Sequence, residues 1–221
     1  MNLKGISYYL GIFCYPITCL AILNILYSSY FDYFLNTDSY IFTMIASFSL
    51  GSFFYFLGKN SDKNVNFYEQ ISIIILNYFI ISILIGLPYY LSNYQITFIN
   101  ALFEAVSGIT GTGFTIFENI KYLDPTLILW RSSTQWIGGM YFLIYLMLFF
   151  SSSKFNYKLQ NLIFTSDKSI NPEINIKKIS TKIFFYYSLI TILLFFIFSI
   201  SNVRLFDSLN LAMTIISSGG F

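Results

Sequence analysis

The chain has no histidine, only two cysteines among 221 residues, and only 10% charged residues. Without histidine there is no Ser-His-Asp triad, no imidazole general base and no His-ligated metal. Two cysteines cannot build a disulfide framework or a four-Cys zinc site. Cys14 and Cys19 lie in one apolar run, on different faces of one helix, and read as packing residues rather than a bridge. A soluble domain carries about 25% charged residues, so this chain has too little charge to dress a solvated surface. A net charge of +2 leaves no electrostatic footprint for nucleic acid. The acids are scattered along the chain, so an enzyme is not expected.

What is present is apolar: 56% hydrophobic and 21% aromatic residues, with a mean hydropathy of +0.67. That composition suits lipid as solvent. A helix crossing the hydrocarbon core needs about 20 mostly apolar residues. Five stretches qualify: 6–27, 40–57, 71–91, 127–150 and 183–201. None alternates polar and apolar positions for long, so helices rather than strands are expected. Pro16 and Pro88 fall inside spans, where neighbours must re-satisfy the freed carbonyls. Asp124-Pro125 reads as an N-cap and first helical residue for the fourth span.

Lysine placement orients the spans. Lys4, Lys59, Lys63 and the six lysines between Lys154 and Lys182 fall on one side. The other side holds Lys121, Arg131 and Arg204, with acidic Asp32, Asp38, Glu118, Asp124 and Asp207. The positive-inside rule puts the N-terminus and the long loop 151–182 in the cytoplasm.

Between the third and fourth spans lies a short apolar piece, 98–109, followed by Thr110-Gly111-Thr112-Gly113-Phe114. Twelve residues cannot cross, and both flanking spans end on the same outer side. The segment is therefore expected to enter the membrane as a half-helix and return, which irregular backbone can do only inside protein or along a water-filled cavity. Alternating Thr and Gly lets successive carbonyls face one axis and replace the hydration shell of a monovalent cation. Glu104 on the half-helix needs a partner at that depth, and a bond to the loop wall is the expected one. Shifting the sequence by 107 residues lays Phe221 over Phe114, Leu209 over Leu102, Ala212 over Ala105, Ile216 over Ile109 and Gly220 over Gly113. Ser217 then replaces Thr110 and keeps the hydroxyl. Span, half-helix and Gly/Ser/Thr turn thus occur twice, as in pores and transporters built by duplication. Gly138-Gly139 reads as a close helix contact. Trp130 and Arg131 suit a membrane interface when read alone.

Three stretches carry a resemblance. Phe103 to Gly108 followed by Thr110-Gly111-Thr112-Gly113 resembles the first pore loop of TrkH potassium-uptake subunits, of the wider Trk/Ktr/HKT group. Trp130 to Met140 looks like the start of the helix after it, and Ala212 to Phe221 like the second pore loop. The resemblance implies an all-α polytopic membrane protein: an N-terminal helical hairpin, then membrane–pore–membrane repeats with re-entrant pore loops around one filter. Residues 1–66 would be the hairpin, 67–150 the first repeat, 151–180 a cytoplasmic loop, and 181–221 the start of a second repeat, cut at its filter. It implies potassium uptake through backbone carbonyls. Thr110, Gly111, Thr112 and Gly113 would form the first filter segment and Ile216, Ser217, Ser218, Gly219 and Gly220 the second, with Glu104 and Arg131 as support. The transported ion would be K+, with no catalytic residue and no organic cofactor. The implied partners are the lipid bilayer, a second copy in a homodimer and a cytosolic TrkA-like nucleotide-binding subunit, at a bacterial inner membrane. The chain matches about the first half of such a protein, so an incomplete half is expected. A non-conducting fragment or one piece of a split gene is the alternative, and a membrane enzyme a remote third.

Overall fold

The computed structural model describes residues 2–61, 65–151 and 176–220, and among these there is no strand. The helices are α1 (Leu3–Tyr30), α2 (Thr37–Gly58), α3 (Phe67–Tyr90), α4 (Phe98–Thr110), α5 (Pro125–Ser151), α6 (Ile176–Ile200) and α7 (Leu205–Ile216), with a short 3-10 turn at Ile120–Tyr122. Each predicted span lies within or nearly coincides with an observed helix. The helices run a few residues further, because hydropathy marks where lipid begins while backbone hydrogen bonding continues past it. The largest difference is α6, which starts at Ile176 rather than near 183. Lys63, Lys154, Lys158, Lys168 and Phe221 lie outside the described residues.

Glycine sets the α1–α2 hairpin. A Cβ at Gly11 would stand 2.6 Å from the Tyr55 nitrogen and 2.7 Å from the Gly51 carbonyl oxygen. At Gly58 it would run into the backbone of Lys4 and Tyr8. In lipid, where helices gain nothing by hiding apolar surface, such backbone approach is what holds a pair together. Cys14 is buried in this seam and Cys19 is exposed, so the two do face apart.

The chain alternates between two ends. At one, the Asn2 N–H donates to Glu69 Oε1, and Gly58 packs on Lys4 and Tyr8. At the other, Asn36 Nδ2 donates to Asp124 Oδ2 at 3.1 Å, and its Oδ1 accepts from the Asn93 N–H at 3.2 Å. Asn36 thereby ties the α1–α2 turn to the ends of α3 and α5. Pro125 begins α5 as expected, with the Asp124 carbonyl accepting from the Leu127 N–H at 2.9 Å.

Among the described residues, four helices combine the length and apolarity of a span: Leu3–Tyr30, Thr37–Gly58, Phe67–Tyr90 and Ser180–Ile200. At 27 residues α5 is also long enough to cross, but it carries the polar run Arg131 to Gln135. All five of those residues are buried in protein rather than presented to lipid. Its side chains reach its neighbours on several sides. Trp130 Nε1 donates to the Ile85 carbonyl on α3 at 3.2 Å, and Asn77 on α3 bonds Tyr145. Tyr141 Oη donates to the Phe13 carbonyl on α1 at 2.6 Å, and Trp136 Nε1 to Thr191 on α6 at 2.9 Å.

Two helices are too short to cross a core about 30 Å thick: α4, with 13 residues, and α7, with 12. Each runs inward from the end marked by Asp124 and stops against the middle of α5. Gly138, halfway along that helix, meets the Ile109 backbone at the end of α4, and Gly139 lies 3.0 Å (by its would-be Cβ) from Ser217 Cα after α7.

Candidate functional site

The two short helices end in the same way, and the cause is local. Gly111 takes a left-handed φ of 67°. Its N–H donates to the Gly108 carbonyl at 3.1 Å, and the Thr112 N–H donates to Ser107 at 3.1 Å. This is the left-handed cap that ends many helices. Ser218, 107 residues on, takes φ 57°. Its N–H donates to Ile215 at 3.0 Å, and the Gly219 N–H donates to Thr214 at 3.0 Å. Two residues beyond each cap, Gly113 and Gly220 are left-handed again, at 76° and 70°. The repeat read from the sequence therefore holds bond for bond. Ser218 bears a strain of about 1–2 kcal/mol that glycine escapes at position 111.

The two loops lie side by side. A Cβ on Gly113 would overlap the Gly219 carbonyl oxygen, and one on Gly111 would stand 3.4 Å from the Ser217 oxygen. Thr110, Thr112, Ser218 and Gly220 are exposed, while Gly219 is buried and Ile216 is partly buried against the core. The predicted site residues of both loops are thus brought to one place. Thr112 Oγ1 hydrogen-bonds Ser107 Oγ at 3.1 Å, and Ser107 Oγ lies 2.6 Å from the Phe114 carbonyl, so the first loop is strapped to its own helix.

Glu104 has its partner. Arg131 Nε donates to Glu104 Oε1 at 2.8 Å, with the two side chains 3% and 0% exposed. The same carboxylate accepts from Thr115 Oγ1 at 3.2 Å and from the Ile116 N–H at 3.0 Å. Arg131 Nη2 reaches Thr115 Oγ1 at 3.0 Å, and its guanidinium sits 5.3 Å from the Phe117 ring centroid. A buried ion pair holds only when its remaining hydrogen-bonding positions are filled, and here the returning segment 115–117 fills them. Trp130 and Arg131 are both buried within the protein. Glu104 faces the wall of the loop, as its depth required. The position that corresponds to it in the second half is Leu211, which has no carboxylate to offer.

Gln135, Gly138 and Gly139 share one face of α5 by their i, i+3, i+4 spacing. Gly138 admits the Ile109 backbone and Gly139 the Ser217 backbone, the close contact expected of that pair. Gln135 went unmarked in the sequence beyond its place in the Trp130–Met140 stretch. It is fully buried, neither atom of its carboxamide has a hydrogen-bond partner among the described residues, and it abuts Gly219. An amide left so costs about 1–3 kcal/mol. The signal that could have found it is its position, one turn after Arg131 and one turn before the glycine pair. Ser107 and Thr115 were missed as well, since short hydroxyls pass for helix and loop filler.

Comparison with known proteins follows the same lines. The family described as "TrkH: Cation transport protein" matches residues 37–221. An uncharacterised cation transporter of Methanocaldococcus jannaschii is 29% identical over 225 residues, covering 99% of this chain and 45% of that protein. The Trk system potassium uptake protein TrkG of Escherichia coli K12 is 26% identical over 188 residues, covering 82% of this chain and 38% of that protein. The crystal structure of the potassium transporter TrkH from Vibrio parahaemolyticus superposes with a TM-score of 0.70 at 18% identity, over 100% of this chain and 44% of that one. The chain thus spans less than half the length of these relatives, and its described residues share the fold of the Vibrio parahaemolyticus structure. The family match over 37–221, together with two capped half-helices resting on one long helix, means that the chain belongs to the TrkH family of cation transport proteins.

Proposed function

We propose that this chain supplies two filter segments of a potassium-uptake transporter. The cation sheds its water and is held by backbone carbonyls of Thr110, Gly111, Thr112 and Gly113 and of Ile216, Ser217, Ser218, Gly219 and Gly220. The observation that carries this reading is the pairing of two left-handed loops, Gly113 against Gly219, at the ends of helices too short to cross. Non-helical backbone at that depth is stable only inside protein or along water, and carbonyl rings are the means by which proteins replace the hydration shell of potassium. The C-terminal ends of α4 and α7 add partial negative charge beside the loops. The named potassium-uptake relatives support K+ as the cargo.

Glu104 and Arg131 serve as filter support: their pair holds segment 115–117 and so fixes the first loop from behind. Residues 1–66 act as a packing hairpin, 67–150 as a complete membrane–pore–membrane unit, 151–180 as a cytoplasmic connection, and 181–221 as a second unit up to its filter. Two loops give carbonyls to one side of an axis, and further filter segments supply the other side. Lys4 and Lys59 mark the cytoplasmic end of a multi-pass protein in a bacterial inner membrane. The working assembly pairs two copies with a TrkA-like nucleotide-binding subunit at that end.

The test is rubidium uptake by the complete transporter containing these residues, in a bacterium stripped of its own potassium uptake. Gly113→Val and Gly220→Val abolish uptake while the protein still reaches the membrane, because a β-branched residue cannot hold φ near 70°. Normal uptake by these variants refutes the reading.

A further inference from the structure

Glycine at 111, 113 and 220 is explained by a left-handed backbone, but Gly219 is not among the positive-φ residues. Backbone conformation therefore leaves position 219 open to a side chain. What a side chain there would meet is the Gln135 carboxamide: a Cβ would stand within 2.6 Å of Nε2 and closer still to Cδ and Oε1, so the amide must leave its place for one to enter. The corresponding residue of the first loop is Thr112, which does carry a side chain, bonded to Ser107 Oγ at 3.1 Å. The two loops thus share a backbone and differ in how they are held. The first carries its own strap. The second has none at 219, and the carboxamide of another helix occupies that volume, buried and without a hydrogen-bond partner among the described residues.

We propose that Gln135 is a positioning residue for the second filter loop: its carboxamide takes the place against Gly219 that the Thr112 side chain takes in the first loop, and so sets the Gly219 carbonyl that faces Gly113. This rests on the reading of the loops as a cation filter. Arg131 and Gln135, one turn apart on α5, then divide the work. The first fixes loop one through Glu104 and Thr115, and the second fixes loop two directly.

The test is a size swap in the complete transporter, read as the ratio of rubidium to sodium in competition, which does not depend on copy number. Gln135→Ala lowers that ratio, and Gly219→Ala lowers uptake, each by about tenfold, the scale of effect when a reacting geometry is displaced by a fraction of an ångström. The double variant Gln135→Ala/Gly219→Ala returns uptake to the level of Gln135→Ala alone, because the added methyl group enters the space the amide has left. If Gly219→Ala fails to accumulate in membranes, recovered abundance of the double variant reads the same contact. An unchanged ratio in Gln135→Ala, or a double variant no better than Gly219→Ala, overturns the proposal. Gly113→Val, run alongside, separates the two readings. If it transports normally, the filter reading falls and this inference with it. If it is dead while Gln135→Ala keeps its ratio, this inference alone falls.

Discussion

Replacing Glu104 with Gln keeps the shape of the side chain and removes its charge. Arg131, 3% exposed, then loses the charge of Glu104, and an amide NH2 competes for the face that now accepts from Arg131, Thr115 and the Ile116 N–H. Removing one member of a buried pair costs about 3–5 kcal/mol. At about 2–4 °C per kcal/mol for a chain of this size, the melting temperature falls by about 6–20 °C. Both tryptophans, Trp130 and Trp136, stand on α5 within five residues of Arg131, so intrinsic fluorescence of the detergent-solubilised protein reports this region directly. Arg131→Met removes the other charge and costs a similar amount. The variant carrying both substitutions melts above either single one, since it leaves no unpaired charge in the interior. Because the pair is shielded from solvent, raising salt from 0.1 to 1 M changes these differences little. A melting point for Glu104→Gln within about 2 °C of the parent, or a double variant that melts below both singles, refutes the argument.

Three further outcomes follow from the geometry. Gly113→Ala is more damaging than Gly220→Ala in rubidium uptake, since both face left-handed strain of about 1–2 kcal/mol but only Gly113 also meets a carbonyl, that of Gly219, while Gly220 meets no atom among the described residues; equal uptake by the two would contradict the observed pairing. Gly11→Leu drives a side chain into the Tyr55 and Gly51 backbone, overpacking worth about 1–3 kcal/mol or more, and is expected to lower membrane abundance and monodispersity in detergent; wild-type yield would rule out the tight α1–α2 seam. Residues 1–221 purified alone and placed in bilayers carry no current, because two loops leave carbonyls on one side of the axis only; a potassium-selective current would disprove this.

Much of the fold was legible because lipid imposes simple rules. Apolar run length located all five long helices, and the shortness of 98–109 marked the half-helix. The 107-residue offset was visible as identities such as Ala212 over Ala105, and it proved to be an equivalence of individual cap hydrogen bonds. Glycine content pointed to the left-handed positions 111, 113 and 220, but it could not show that Ser218 would adopt the same φ, since serine carries no signal for it. The support around the loops was harder to read. Glu104 asked for a partner, and Arg131 lay 27 residues away, where its charge fits a membrane interface equally well. Gln135 was silent for a related reason. A polar residue on an apolar helix looks the same whether it faces water, lipid headgroups or another backbone, and only the packing of α5 against α7 decides among them.

The adjacent glycines on α5 have a mechanical meaning. Gly138 touches the end of α4 and Gly139 the turn after α7, and neither has a side chain to bend. Elsewhere in a protein a small shift of one helix is absorbed by side chains moving within their rotamer wells. Here the tolerance is that of backbone van der Waals contact. Successive residues on a helix point about 100° apart, so any roll of α5 that relaxes one contact tightens the other. Both loops are therefore gauged against one ruler. Their spacing is fixed to the tolerance of van der Waals contact between backbones.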